Sequence, residues 1–277
     1  MKKKVVIVDG HNLLFRMFFG IPSSIRNSKG REIKGLVGFV GSLKKLVMEF
    51  NPYALIVIFD SESSRDNNLK IDDSYKQGRV DYADVIEDEN PFSQLPLIQR
   101  ALDFLNIFNL EVTQNEADDF IASLTSNNDY QYIIVSTDSD FIQLVNDNIH
   151  LYVPRGKSSI LYNEERVAIK YNISPNQYVL YKSLVGDKSD NISGIKGIGP
   201  VIASKILKYD FIDNYILENN DSKLSNLLIE NKEKISRNIE LITLNRDIDT
   251  SMVKFDKLSS KVMDLKTYEI IDGIGER

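Results

Sequence analysis

Cysteine is absent from the 277 residues, and histidine nearly so, with only His11 and His150 present. The first absence excludes disulfides, thiolate metal sites and cysteine nucleophiles. Two histidines cannot assemble a zinc site of the His/Cys kind, so a bound metal must be a hard ion held by oxygen, such as Mg²⁺ or Mn²⁺. No apolar run reaches the length of a membrane span. The basic start Lys2-Lys3-Lys4 ahead of the apolar residues 5–8 mimics an export signal, but Asp9 ends that run too early. A cytoplasmic protein with no membrane contact is therefore expected. What remains is ordinary for a globular chain, with 42% hydrophobic and 27% charged residues, and is long enough for a well-buried core in one large or two small domains. The formal charge of −6 argues at first against a nucleic-acid partner. The placement of the acids reverses that inference.

Residues 5–8, 55–59 and 132–135 are short β-branched apolar runs of the kind that form buried parallel strands. Asp9 follows the first, Asp60 the second, and Ser136-Thr137-Asp138-Ser139-Asp140 the third. One such aspartate reads equally well as a helix N-cap. Three carboxylates beyond three strand ends point instead to the edge where open α/β sheets bind ligands. Residues 35–50 carry Leu36, Phe39, Val40, Leu43, Leu46 and Val47 at helical spacing, and residues 95–108 read as a second amphipathic helix. In residues 116–124, Ala117, Phe120, Ile121 and Leu124 form a buried stripe flanked by Glu116, Asp118 and Asp119. Acids in a first turn suit the helix dipole, yet three of them beside the strand ends favour a shared cation. Residues 26–31 form a basic loop, read as a solvated turn or a phosphate contact. Residues 61–93 lack periodicity, which marks either a functional lid or a mobile loop.

The stretch Gly186-Asp187-Lys188-Ser189-Asp190-Asn191-Ile192 offers two more carboxylates three residues apart. It runs on into Gly194-Ile195-Lys196-Gly197-Ile198-Gly199-Pro200, a glycine turn opening a helix, with Pro200 fitted to the first helical position. Backbone N–H groups in such a turn suit a phosphate. Nine carboxylates are thus candidates for one cluster: Asp9, Asp60, Glu116, Asp118, Asp119, Asp138, Asp140, Asp187 and Asp190. Buried together they need cations. With those nine of the 40 acids set aside, 31 remain against 34 bases, so the net charge no longer opposes a nucleic acid. Two divalent ions roughly 4 Å apart would suit in-line phosphodiester hydrolysis.

These motifs, in this order from about residue 5 to 210, resemble the bacterial and phage 5′-3′ exonucleases, the flap or structure-specific 5′ nucleases also found at the N-terminus of bacterial DNA polymerase I. The matching segments are Val8-Asp9-Gly10-His11-Asn12-Leu13-Leu14-Phe15-Arg16, Val57-Ile58-Phe59-Asp60, Tyr75-Lys76-Gln77-Gly78-Arg79, Asn115-Glu116-Ala117-Asp118-Asp119, the 136–140 segment and the 186–192 segment with its hairpin. The resemblance implies a PIN/resolvase-like α/β core over residues 1–168, with parallel strands, flanking helices and an arch near 61–93. It implies a helical, helix-three-turn-helix (SAM-fold-like) DNA-binding part over 169–255, leaving 256–277 as a tail. By the same resemblance Asp60, Glu116, Asp118 and Asp119, with Asp9, hold one metal ion, and Asp138, Asp140, Asp187 and Asp190 a second. Lys76 and Arg79 match the catalytic basic pair of the arch, with Tyr75 stacking on bases. Arg16, Lys182, Gly194, Lys196, Gly197, Gly199 and Lys205 are expected on DNA, with K⁺ at the hairpin carbonyls. The family's Phe-Arg pair before the arch tyrosine is replaced here by Asn67 and Asn68. His11 reads as a structural group. The expectation is a monomeric, stand-alone 5′-3′ exonuclease and flap endonuclease of DNA replication or repair. The competing readings are a non-catalytic DNA-junction binder and a metal-dependent ribonuclease.

Overall fold

The computed structural model describes residues 2–61, 85–127, 129–259 and 261–276. Its first part alternates β1 (Lys3–Asp9), α1 (Gly10–Gly20), α2 (Lys34–Phe50), β2 (Ala54–Asp60), α3 (Leu95–Phe104), β3 (Phe108–Val112), α4 (Ala117–Leu124), β4 (Tyr130–Val135), β5 (Ile149–Val153) and β6 (Ile160–Tyr162). The helices α5 (Glu164–Tyr171) and α6 (Tyr178–Val185) lead to a ribbon of β7 (Gly186–Asp187) and β8 (Ile192–Ser193). Beyond it come α7 (Pro200–Ile206), α8 (Ile212–Glu218), α9 (Lys223–Glu230), α10 (Lys232–Ile242), α11 (Lys261–Asp264) and α12 (Thr267–Gly273). Among the described residues no helix is long and apolar enough to cross a membrane.

The six-stranded sheet has the order β3-β2-β1-β4-β5-β6, parallel except for β6. Chain order reverses across β1, because β2 and β3 extend one way and β4 and β5 the other. The gap between the ends of β1 and β4 is therefore a topological switch point, where such sheets leave a crevice. The β1 run is buried on both faces: Val5 and Ile7 join the core beneath α4, while Val6 and Val8 join that beneath α1, α2 and α3. The α4 core continues without a break into Leu184, Ile195, Ile198, Ala203 and Ile206, so the helical part packs directly onto one sheet face.

Two elements differ from the periodicity. The helix expected over 95–108 stops at Phe104, Asn106 takes a left-handed conformation at φ 55°, and Phe108 already pairs with Ile56 as edge strand β3. The residues expected as a tail return to the first core. Val262, Ile270, Ile271 and Ile274 are buried there, and the Leu258 N–H donates to the Tyr53 carbonyl at 2.7 Å. Glu276, itself buried, accepts from Asn27 at 2.9 Å and pairs with Arg100 at 3.2 Å. This closing contact makes α12 part of the fold. Ile270→Ala should cost about 2–5 kcal/mol, read from the urea midpoint, whereas Tyr268→Ala on the exposed side of the same helix should stay within about 0.5 kcal/mol. Equal losses would contradict the packing.

Candidate active site

Asp9 ends β1 and caps α1, accepting from the Asn12 N–H at 3.2 Å and from Ser136 Oγ at 2.7 Å. The N-cap reading of this residue therefore holds, and its carboxylate lies within electrostatic reach of Asp60 and Asp138. The Ser136 oxygen also accepts from the Asp138 N–H at 3.0 Å, while Asn12 Oδ1 takes the N–H and the hydroxyl of Thr137, each at 2.9 Å. Three hydrogen bonds thus tie the ends of β1 and β4 across the switch point. Gly10 is required here because a Cβ would lie 2.3 Å from the Phe59 ring.

Asp60 ends β2 and accepts from the Ala117 N–H at 2.7 Å. Glu116 is the N-cap residue of α4 but makes no side-chain cap bond, so a carboxylate from another strand caps this helix. That bond holds the first turn of α4, with Asp118 and Asp119, beside the end of β2. Asp119 Oδ1 in turn accepts from the Asn245 N–H at 2.8 Å, joining the turn to the segment after α10.

Asp187 and Asp190 sit in the ribbon. Gly186, at φ 87°, and Gly194 touch backbone to backbone, and a Cβ on either would lie 2.4 Å or less from main-chain atoms of the other strand or of Val185. Asp187 accepts from the Ser189 N–H at 2.6 Å. Behind the ribbon, Asn238 of α10, 4% exposed, donates to the Ser183 and Ser193 carbonyls at 2.9 and 3.0 Å, and Lys234 donates to that of Gly194 at 2.8 Å. Gly199 caps α7, and Gly197 turns the chain at φ 94°. Lys196, Gly197 and Lys205 are exposed, while Arg16, Gly194 and Gly199 are half-buried.

Lys182 corrects the sequence reading. Expected on DNA, it is 4% exposed, and its ammonium contacts Asp140 and Asp187 and lies 4.0 Å from Asp190. It lies on α6 inside the run Val179-Leu180-Tyr181-Lys182-Ser183-Leu184, which faces the core. A lysine in such a run was the available signal that it would find acids inside. Lys76, Arg79 and Tyr75, with Asn67 and Asn68, lie outside the described residues.

The electrostatics follow from this crowding. Burial pushes the Asp9 carboxyl up to about 7, with the charges of Asp60 and Asp138 adding to it and the bonds from Ser136 and Asn12 opposing. Burial and Asp138 also push Asp140 up, against Lys182. Burial works against the Lys182 charge, but Asp140 and Asp187 hold it above the ordinary lysine value. Burial likewise opposes ionisation of Asp187, yet hydrogen bonds from Lys182 and Ser189 leave it below the ordinary carboxylate value. His11 Nδ1 is 3.9 Å from Asp60, its ring packed edge-on to Phe59 and Phe92. As they stand, no three of the described acidic or histidine side chains enclose a single point tightly enough to hold a metal. The donor set nevertheless suits a hard cation, because it is all oxygen and its members raise one another's pKa.

The comparisons with known proteins agree with this arrangement. Residues 4–172 match the model for the 5′-3′ exonuclease N-terminal resolvase-like domain, and residues 173–266 that for the 5′-3′ exonuclease C-terminal SAM fold. The chain belongs to the 5′-3′ exonuclease family. A 5′-3′ exonuclease of Aquifex aeolicus is 31% identical over 97% of this chain and 94% of its own length. A thermostable DNA polymerase I of Thermus caldophilus is 36% identical over 92% of this chain, which spans only 29% of that polymerase. In fold, the chain is similar to a bacteriophage T5 flap endonuclease solved with DNA and metal ions, at a TM-score of 0.71 and 21% identity over 99% of this chain and all of that one. The catalytic core of Rad2 with DNA gives 0.62 at 14% identity over 98% of this chain and 90% of that one.

The raised Asp9 pKa has a defined consequence. In the unfolded chain this carboxyl ionises near 3.8, and in the fold near 7, so the native state holds the extra proton between those values and stability falls as pH rises through that window. Without divalent ions, Asp9→Asn should match the parent in Tm near pH 4 and exceed it by several degrees at pH 8. A pH-independent offset would assign the effect to something other than this carboxyl.

Proposed function

We propose that the protein is a divalent-metal-dependent 5′-3′ exonuclease and 5′-flap endonuclease that hydrolyses DNA phosphodiester bonds, in replication or repair. The observation that carries this reading is that Asp9 feels the charges of Asp60 and Asp138, Asp140 those of Asp138 and Asp190, and Asp60 holds the first turn of α4, with a glycine hairpin and exposed Lys196 following the β7–β8 ribbon. Asp9, Asp60, Glu116, Asp118 and Asp119 would hold one Mg²⁺ or Mn²⁺, and Asp138, Asp140, Asp187 and Asp190 a second. Such a pair supplies an activated water and charge stabilisation at the leaving oxygen. The chain's own part is positional. Ser136, Asn12 and the Ala117 N–H hold carboxylates at fixed places, which spares reorganisation during the reaction. The hairpin N–H groups and Lys196, Lys205 and Arg16 would hold the duplex backbone, where phosphate contacts set register without reading sequence. A K⁺ ion on the hairpin carbonyls would share that of Gly194 with Lys234 or use its neighbours. Lys76 and Arg79 are assigned to the scissile phosphate on their motif, and Tyr75 to base stacking.

The test is cleavage of end-labelled 5′-flap and blunt duplex DNA with and without Mg²⁺ or Mn²⁺. Cleavage should require the ion, and Asp138→Ala or Asp187→Ala should lower it by ~100-fold or more, since loss even of groups supporting a metal ligand costs about 10–100-fold. Both substrates left intact by the parent protein would overturn the reading. Unaltered cleavage by both variants would move the chemistry elsewhere.

Lys196→Glu should weaken duplex binding at low salt and lower the slope of log K against log salt by about 1 or more, the share of one phosphate contact. Equal low-salt binding by variant and parent would remove the hairpin from the interface.

A further inference from the structure

The second carboxylate group already contains a cation. The Lys182 side chain is 5% exposed, and those of Asp140, Asp187 and Asp190 are 9%, 12% and 8% exposed. The ammonium contacts Asp140 Oδ1 and Asp187 Oδ2 and lies 4.0 Å from Asp190 Oδ2. Its approach line is set by α6, whose C-terminal end runs straight into the ribbon that carries Asp187. A divalent ion held by the Asp140 and Asp187 oxygens would take the place between them that the ammonium occupies, and two cations cannot share it. The four-carbon stem lets the ammonium swing while the helix stays put.

We propose that Lys182 is a built-in counter-ion of this group, which holds Asp140, Asp187 and Asp190 together until a divalent ion displaces it. This rests on the assignment of those aspartates as metal ligands made above. The lysine has two effects of opposite sign. It stabilises the fold without the ion, since removing one partner of a buried ion pair strands the other charges. It also weakens the second ion, which must compete with a tethered cation at the same oxygens.

The experiment is Mn²⁺ binding to the intact protein without DNA, by calorimetry and by EPR of free Mn²⁺, on the parent and on Lys182→Met, which keeps an unbranched stem and loses the charge. The parent should show a tighter and a weaker ion. Lys182→Met should tighten the weaker one at least about tenfold, leave the tighter one unchanged, lower Tm in EDTA, and show a larger Tm rise on Mn²⁺ addition than the parent. Two ions in the parent with the weaker one unchanged or weakened in the variant overturn the proposal while leaving the metal assignment standing. No Mn²⁺ binding by the parent overturns both. Should Lys182→Met fail to fold, the parent decides: amine labelling read by peptide mass spectrometry should find Lys182 protected in EDTA and reactive in saturating Mn²⁺. Unchanged protection at saturation overturns the displacement.

Discussion

Crowding like charges at one sheet edge is the constraint to which the surrounding structure answers. Asp9 shows its strength, since burial and the neighbouring Asp60 and Asp138 charges raise its carboxyl to about 7. Carboxylates under such repulsion would turn away from one another unless held. Four are held by named donors: Asp9 by Ser136, Asp60 by the Ala117 N–H, Asp119 by the Asn245 N–H, and Asp187 by Ser189 of its own ribbon and by Lys182. The orientation of the acids is thus a property of the scaffold.

The same bonds connect parts of the chain far apart in sequence. Asp60 caps α4 from across the sheet, and Asn245, donating to Asp119, belongs to the segment leaving α10. Gln143, just after the β4 acids, donates to the Ile242 carbonyl and accepts from the Leu244 N–H, each at 3.0 Å. From α10 itself, Asn238 and Lys234 reach the carbonyls of Ser183 on α6, of Ser193 on β8 and of Gly194 just beyond it. One helix therefore braces the hairpin expected to grip the duplex and borders the acids expected to hold the metals. The separation between the hairpin and the acids is set by covalent and hydrogen-bonded connections of a few residues.

The strand-end acids were legible because apolar runs of four or five residues followed by Asp admit few other structures. The stripes over 35–50 and 117–124 were legible for a related reason, since their period sets a face. Edge strand β3 was not, because its Phe-Asn-Leu-Glu-Val run is half-exposed and continues a helical pattern with no proline or glycine to mark the break. The return of 261–276 was hidden because it depends on Asn27 and Arg100 meeting Glu276 across about 175 to 250 positions, which no local period encodes. Lys182 was misread because a basic residue near a nucleic-acid motif is ordinarily assigned to phosphate. Its apolar neighbours carried the better information.

That misreading bears on the charge argument as a whole. Setting aside nine acids turns a formal −6 into a slight excess of bases, but only if the bases stay outside. Lys182 does not, and Arg26 and Arg31 pair with Asp88 and Glu87 at 2.6 and 3.0 Å, so the basic loop is spent on the acidic run rather than offered to phosphate. Among the described residues, Lys188, Lys196 and Lys205 stay exposed around the glycine hairpin. Under the proposed function, divalent ions would supply at the reacting bond the positive charge that these few lysines do not.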